Sequence, residues 1–412
     1  MSSLLEITLG IMTAMGGFVD VSELVFAAQA GSRFLFSLIW VFVLATIGIM
    51  VFGEMGGRVA AISKQPVFNL MRQRLGLRLG LLTLIAATIV NVITCAAEIG
   101  GIAIVLQLLL GWPYRLLVFI GTALLIAMIW LLPFKAMERG IGLLGLFMIT
   151  FIAVAAAIDV PWNEVAAGLI PSLPRDVSTS QLLTYCYFVV AIISAVIFPY
   201  EVYFYSSGGI EEHWSQKDLT ANRITTIVGF ALGSLLAISL LVNAAVLFAP
   251  RHIDPQMPGT VALQAAIPFG KIGLLLALAG MFFAFAGAAI ETCLSSAYCI
   301  AQFFGWEWGR YKGKAEAPRF TISWLLTFVV ALAILLTGVE PLELVEYAVV
   351  SSIVVLPLTY LPLLLIANDS KYMGEHANGA FANIMGWSFF VIILLAALAA
   401  VPLFLITSGG QL

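Results

Sequence analysis

The sequence predicts an all-α polytopic membrane protein with eleven transmembrane helices, and three observations carry that prediction. Of its 412 residues 62% are hydrophobic and only 10% charged, with a mean hydropathy of +1.08, far from the composition of a soluble domain. The apolar residues also fall into runs of membrane length, about 20 residues each. Finally, two of those runs are interrupted by short polar motifs that carry acids, Asp20-Val21-Ser22-Glu23 near the start and Phe198-Pro199-Tyr200-Glu201 near the middle.

Taken in order, the runs place helices near 4–31, 34–62, 79–110, 114–133, 139–158, 181–212, 219–248, 271–304, 319–338, 342–367 and 383–407. Their ends are set by polar connections. Lys64–Arg78, Gly209–Asn222 and Trp306–Arg319 lie on one side, with Asp159–Gln181 and Pro250–Lys271 on the other. The start, Met1 to Glu6, lacks the basic flank and small-residue cleavage site of a signal peptide, so the first run is expected to remain as a helix. Cytoplasmic loops are enriched in Lys and Arg. Placing the N-terminus inside leaves only Arg33, Arg115, Arg175, Arg251 and Lys271 of the nineteen outside, and an odd number of spans then puts the C-terminus outside.

All four cysteines (Cys95, Cys186, Cys293, Cys299) fall within the spans and read as small packing residues rather than a disulfide framework. The net charge of −3 and the absence of a dense basic run argue against nucleic-acid binding. An intramembrane hydrolase would need histidine or paired aspartates at membrane depth. His213, His252 and His376 all lie in predicted loops, so no enzyme is expected.

An ionised side chain on a membrane helix costs at least about 2.5 kcal/mol, so Asp20, Glu23 and Glu201 are expected to face a polar cavity or a substrate path. Interrupted helices free backbone carbonyls and expose half-helix ends, which suits a cation pathway. The first break is followed by four spans and the second by four more before an eleventh. This is the 5+5 inverted-repeat pattern: 1–158 as first repeat (helices one to five), 159–180 as an extracellular connection, 181–367 as second repeat (helices six to ten), and 383–407 as helix eleven. Carbonyls near Gly17 and Ile197 are further ligand candidates, since the last turn before each break loses its helical partners.

The two motifs resemble those of the NRAMP divalent-metal transporters, whose first helix breaks at Asp-Pro-Gly-Asn and whose sixth breaks at Met-Pro-His. Ala30-Gly31-Ser32-Arg33-Phe34 is similar to the family's Ala-Gly-Ser-Gln-Phe, and the stretch after Pro199 to its Asn-Leu-Tyr-Leu-His-Ser-Ser. Ala97-Glu98, Gly168 to Pro174, Asn222-Arg223, Val242-Asn243, Leu356-Pro357 and Met373-Gly374 look like further family blocks. The resemblance implies a LeuT-type fold with helices one and six broken, and a metal site at the breaks. It is closest to the NRAMP-related magnesium transporters.

The departures alter the expected cargo. Phe198 stands where the family has its thioether ligand, while Glu23 and Glu201 stand where it has asparagines. Oxygen-rich, anionic surroundings without sulfur suit Mg²⁺, with Mn²⁺ also carried, and Mg²⁺ tends to keep several waters. The family's proton route uses the motif histidine and a helix-three Asp, where this chain has Tyr200 and Cys95. Uptake is therefore expected to be weakly or not proton-coupled. Inward movement of a dication across 100 mV yields about 4.6 kcal/mol.

Tyr200, Phe198, Glu98 and Glu291 are expected beside the site or along the pathway. The alternative on the same fold is an organic cation or amino acid held by the acids against an aromatic wall of Phe18, Phe198 and Tyr200. No resident cofactor, nucleic acid or obligate protein partner is expected. The expected partners are Mg²⁺ or Mn²⁺ as substrate and the lipid bilayer, and the expected location is a bacterial plasma membrane.

Overall fold

The computed structural model describes residues 19–173 and 178–411. Apolar runs without strand-like alternation form helices throughout, and among the described residues ten helices are long and apolar enough to cross a membrane. They correspond to predicted helices two to eleven and are labelled accordingly: α2 (Ile39–Ser63), α3 (Val67–Leu110), α4 (Tyr114–Leu131), α5 (Phe134–Ala157, with a 3-10 turn at Leu146–Met148), α6, α7 (Leu219–Leu247), α8 (Pro258–Phe304), α9 (Pro318–Leu336), α10 (Pro341–Ala367) and α11 (Ala380–Thr407). The described part of helix one is α1 (Val21–Phe34). Helix six is split into α6a (Thr179–Val196) and α6b (Pro199–Glu211).

Two predicted connections are partly helical. The polar stretch before helix three contains a helix from Val67 that turns at Gly76 (φ 75°, ψ 177°) into the span, a conformation open to glycine. The stretch before helix eight does the same, turning at Gly270 (φ 60°, ψ −144°). The segment before Gly76 carries Asn69, Arg72, Gln73 and Arg74 among its apolar residues, and the segment before Gly270, Pro258 to Phe269, is largely apolar but far shorter than a span. A short helix, Trp162–Ala167, also lies within the connection 159–180, and α6a begins at Thr179.

The interior is built on α3 and α8, which pack against each other more extensively than any other pair. Small residues set the closest approaches. At Gly31 an added Cβ would lie 2.0 Å from the Leu241 carbonyl oxygen, so α1 rests directly on the α7 backbone. Cys95, Cys293 and Cys299 are buried and all four cysteines are free.

Polar contacts sort into two faces. At one, Arg33 pairs with Asp254 at 2.6 Å and donates to the Gly410 carbonyl. At the other, Arg58 pairs with Glu54 at 3.0 Å and donates to the His376 carbonyl, while Arg74 meets Asp369 at 3.2 Å. This grouping matches the alternation of spans expected from the loops. Arg58 is buried, while Glu54 is partly exposed and also lies 3.6 Å from the exposed Arg223, so the pair sits where the packed interior of that face meets solvent.

Candidate metal centre

The break in helix six follows from its sequence. Pro199 has no N–H to offer the Ala195 carbonyl, and the Phe198 N–H turns to Glu201 Oε2 at 3.3 Å instead of the Ser194 carbonyl. Ile197 (φ −120°, ψ 97°) carries the chain out of α6a, and Pro199 at the first helical position favours the restart. The last turn of α6a, Ser194 to Ile197, thus presents carbonyl oxygens without intrahelical partners. Tyr360 of α10 donates to the Phe198 carbonyl at 3.4 Å, and Ser295 of α8 to the Tyr200 carbonyl at 3.2 Å.

The described part of helix one, α1, begins among acids. Asp20 is its N-cap, with Oδ1 accepting the Glu23 N–H at 2.7 Å. The Val21 N–H goes to Glu98, arriving from α3, with Oε1 at 3.1 Å. Such capping satisfies amides that a helix start leaves unpaired. It does not use every oxygen: Asp20 Oδ2 and the Ser22 hydroxyl are buried without a hydrogen-bond partner.

Asp20, Glu23 and Glu98 are 2%, 4% and 0% exposed. Glu23 lies within electrostatic range of both Asp20 and Glu201, and Tyr200 within range of Asp20, Glu98, Glu201 and Glu291. The fold therefore brings the acids at the starts of α1 and α6b to one region. The Phe198 and Tyr200 rings, 5.3 Å apart, form part of its wall. Gly17 and Phe18 lie outside the described residues.

The acids do not close into a cage. Among the described residues no three Asp, Glu, His or Cys side chains converge tightly enough to hold an ion by themselves. The capping bonds divide them: Asp20 and Glu98 are tied to N–H groups at the start of α1, and Glu201 to one at the start of α6b. A cation here would draw the rest of its oxygen shell from carbonyls, hydroxyls or water, which suits a hard ion that keeps part of its hydration.

Glu98 is a helix cap in this arrangement, which its place in helix three did not reveal. Glu291 is partly exposed on α8, within range of Glu201 on one side and of Glu138 and Arg310 on the other. Sequence reasoning missed Ser22, Ser295 and Tyr360. A hydroxyl inside the first motif, and another three residues after Pro357, were the available signals.

A family model described as "Natural resistance-associated macrophage protein-like" (Nramp) matches residues 10–402. The chain belongs to the Nramp family. It is a divergent member of a family of transporters, not enzymes. The divalent metal cation transporter MntH of Levilactobacillus brevis is 25% identical over 402 residues, covering 92% of this chain and 85% of its own. MntH 1 of Pseudomonas aeruginosa is 26% identical over 415 residues, covering 94% and 89%.

Among solved structures, the Eremococcus coleocola manganese transporter in complex with an aromatic bis-isothiourea compound superposes with a TM-score of 0.76 at 19% identity, over 97% of this chain and 86% of that one. Mhp1, a nucleobase-cation-symport-1 family transporter, gives 0.57 at 15% identity, over 97% and 92%. These likenesses place the Nramp chain in the LeuT-type fold.

Proposed function

We propose that this Nramp protein is a secondary transporter that imports divalent metal cations, chiefly Mg²⁺ and also Mn²⁺, by alternating access with little or no proton coupling. The observation that carries the proposal is the Asp20 carboxylate: one oxygen caps the start of α1 while the other is buried without a partner. An ionised oxygen in that position is stabilised by a cation. Glu23 and Glu201, in electrostatic range, supply further charge. Carbonyls at Ile197 and Gly17 complete the ligand set, and waters fill the remaining positions.

Support for metal as cargo comes from the relatives, which are named as divalent metal cation or manganese transporters. The preference for Mg²⁺ rests on Phe198 in place of a thioether and on the added carboxylates. Weak coupling rests on the loop positions of His213, His252 and His376 and on Cys95, which is fully buried. We place the protein in a bacterial plasma membrane with its N-terminus cytoplasmic and its C-terminus extracellular, following the Lys and Arg count.

The test is a proteoliposome assay with an internal pH dye. Mg²⁺ or Mn²⁺ uptake driven by membrane potential alone, without acidification, is the expected result. Stoichiometric acidification would overturn the uncoupled reading. The paired Phe198 and Tyr200 rings favour one second reading, an organic cation held by cation–π attraction. Calorimetry distinguishes the two, because amine binding with no metal response would select the second.

A further inference from the structure

The loop between α8 and α9 sends one charged side chain back into the bundle. Arg310 is only 4% exposed at its side chain, although connecting loops ordinarily keep their charges in water. Its backbone N–H donates to Glu211 Oε1 at 2.6 Å, and its Nη2 to Glu212 Oε1 at 2.7 Å. The guanidinium lies 4.3 Å from the centre of the Phe134 ring of α5 and 5.1 Å from that of Tyr311. Its Nη1 occupies the space above Gly208, where an added Cβ would sit 3.3 Å away. Tyr298 of α8 donates to Glu211 as well, and Gln302 donates to Ser207 at 2.8 Å.

These contacts converge on one end of one element. Glu211 and Glu212 close α6b, the half-helix whose opposite end carries Glu201 beside the break. Ile197 and Phe198 are non-helical, so α6b can pivot there without unwinding α6a. Thirteen residues make a lever of about 20 Å, held at the far end by a buried guanidinium. A buried ion pair resists separation because parting leaves both charges uncompensated.

We infer that Arg310 is a latch: it holds α6b closed against α5 and α8, and its release is a step in delivering the cation to that side. It is a positioning residue, acting on the site through α6b rather than by touching the ion. Glu291 lies in electrostatic range of both Glu201 and Arg310. A dication leaving Glu201 past Glu291 would approach the guanidinium and compete with it for Glu211 and Glu212. The inference rests on the transport reading above.

The test uses full-length protein in liposomes and a membrane-impermeant maleimide applied from the Arg310 face. Ser207→Cys places a thiol on α6b at a fully buried position. Adding Arg310→Gln is expected to raise its labelling rate at least about tenfold, with Arg310→Lys intermediate because lysine restores charge but not the fork. Ser194→Cys on α6a, also fully buried, is the control and should label no faster. Mn²⁺ affinity by calorimetry should stay within about twofold while the maximal uptake rate changes.

If Arg310→Gln does not fold, Glu212→Gln loosens the same contact from its more exposed partner. Unchanged Ser207→Cys labelling in a protein that binds Mn²⁺ overturns the latch, and so does equal acceleration at Ser194→Cys. Absence of Mn²⁺ and Mg²⁺ binding in the unmutated protein overturns the transport reading instead.

Discussion

Replacing Asp20 by Asn separates the two duties of its carboxylate. The amide oxygen can keep the 2.7 Å bond from the Glu23 N–H, and Asn is as good an N-cap as Asp. Shape is preserved and only the charge is lost. Were Asp20 a cap alone, the change would cost a few tenths of a kcal/mol in stability and nothing in cation affinity. As a ligand it carries one charge of a buried pair with the dication, and truncating such a pair costs about 2–5 kcal/mol. A value near 3 kcal/mol weakens binding roughly 10²-fold.

Asp20→Ala should lose the same affinity and, in addition, about 1 kcal/mol of stability from the missing cap. Calorimetric titration of Mn²⁺ and Mg²⁺ into the three proteins, with thermal melts alongside, reads both quantities. Wild-type Mn²⁺ affinity in Asp20→Asn would refute ligation by Asp20 outright.

Phe198→Met restores a thioether and should shift competition for uptake by about tenfold toward soft ions such as Cd²⁺; an unchanged Cd²⁺/Mg²⁺ preference would place residue 198 away from the ion. Glu98→Ala leaves the buried Val21 N–H unpaired and should cost about 1–3 kcal/mol in a melt. Glu98→Gln keeps an acceptor and should cost less, so equal melts for the two would rule out the capping role. Gly31→Ala forces a Cβ against the Leu241 carbonyl oxygen and should destabilise by about 2 kcal/mol. Gly140→Ala, which meets nothing within 4 Å, serves as the control and should be neutral or stabilising.

Much of the architecture was legible because membrane spans are written in composition and run length. The break in helix six was equally readable, since Pro199 removes a donor wherever it stands in a helix. What escaped the sequence depends on contacts between distant residues. Glu98 caps α1 across a separation of 77 residues, and Arg310 folds back onto acids almost 100 residues earlier. Neither pairing leaves a local pattern. The helical stretches before Gly76 and Gly270 were hidden for different reasons: polar residues diluted the apolar signal of the first, and the second is too short to register as a span. In the site, residue types suggested a cluster of carboxylates, whereas the capping bonds tie Asp20 and Glu98 to the start of α1 and Glu201 to the start of α6b.

The direct contact of Gly31 with the α7 backbone, reinforced by Ser32 to the Ile253 carbonyl and Arg33 to Asp254, joins α1 to its neighbour as one piece. Asp20 stands at the start of that piece and Glu201 at the start of a hinged one. In the proposed cycle the ion is therefore gripped like work in a vice, between one fixed jaw and one that swings. Both jaws then decide which cargo is held, and the freedom of the swinging one decides how often it is let go.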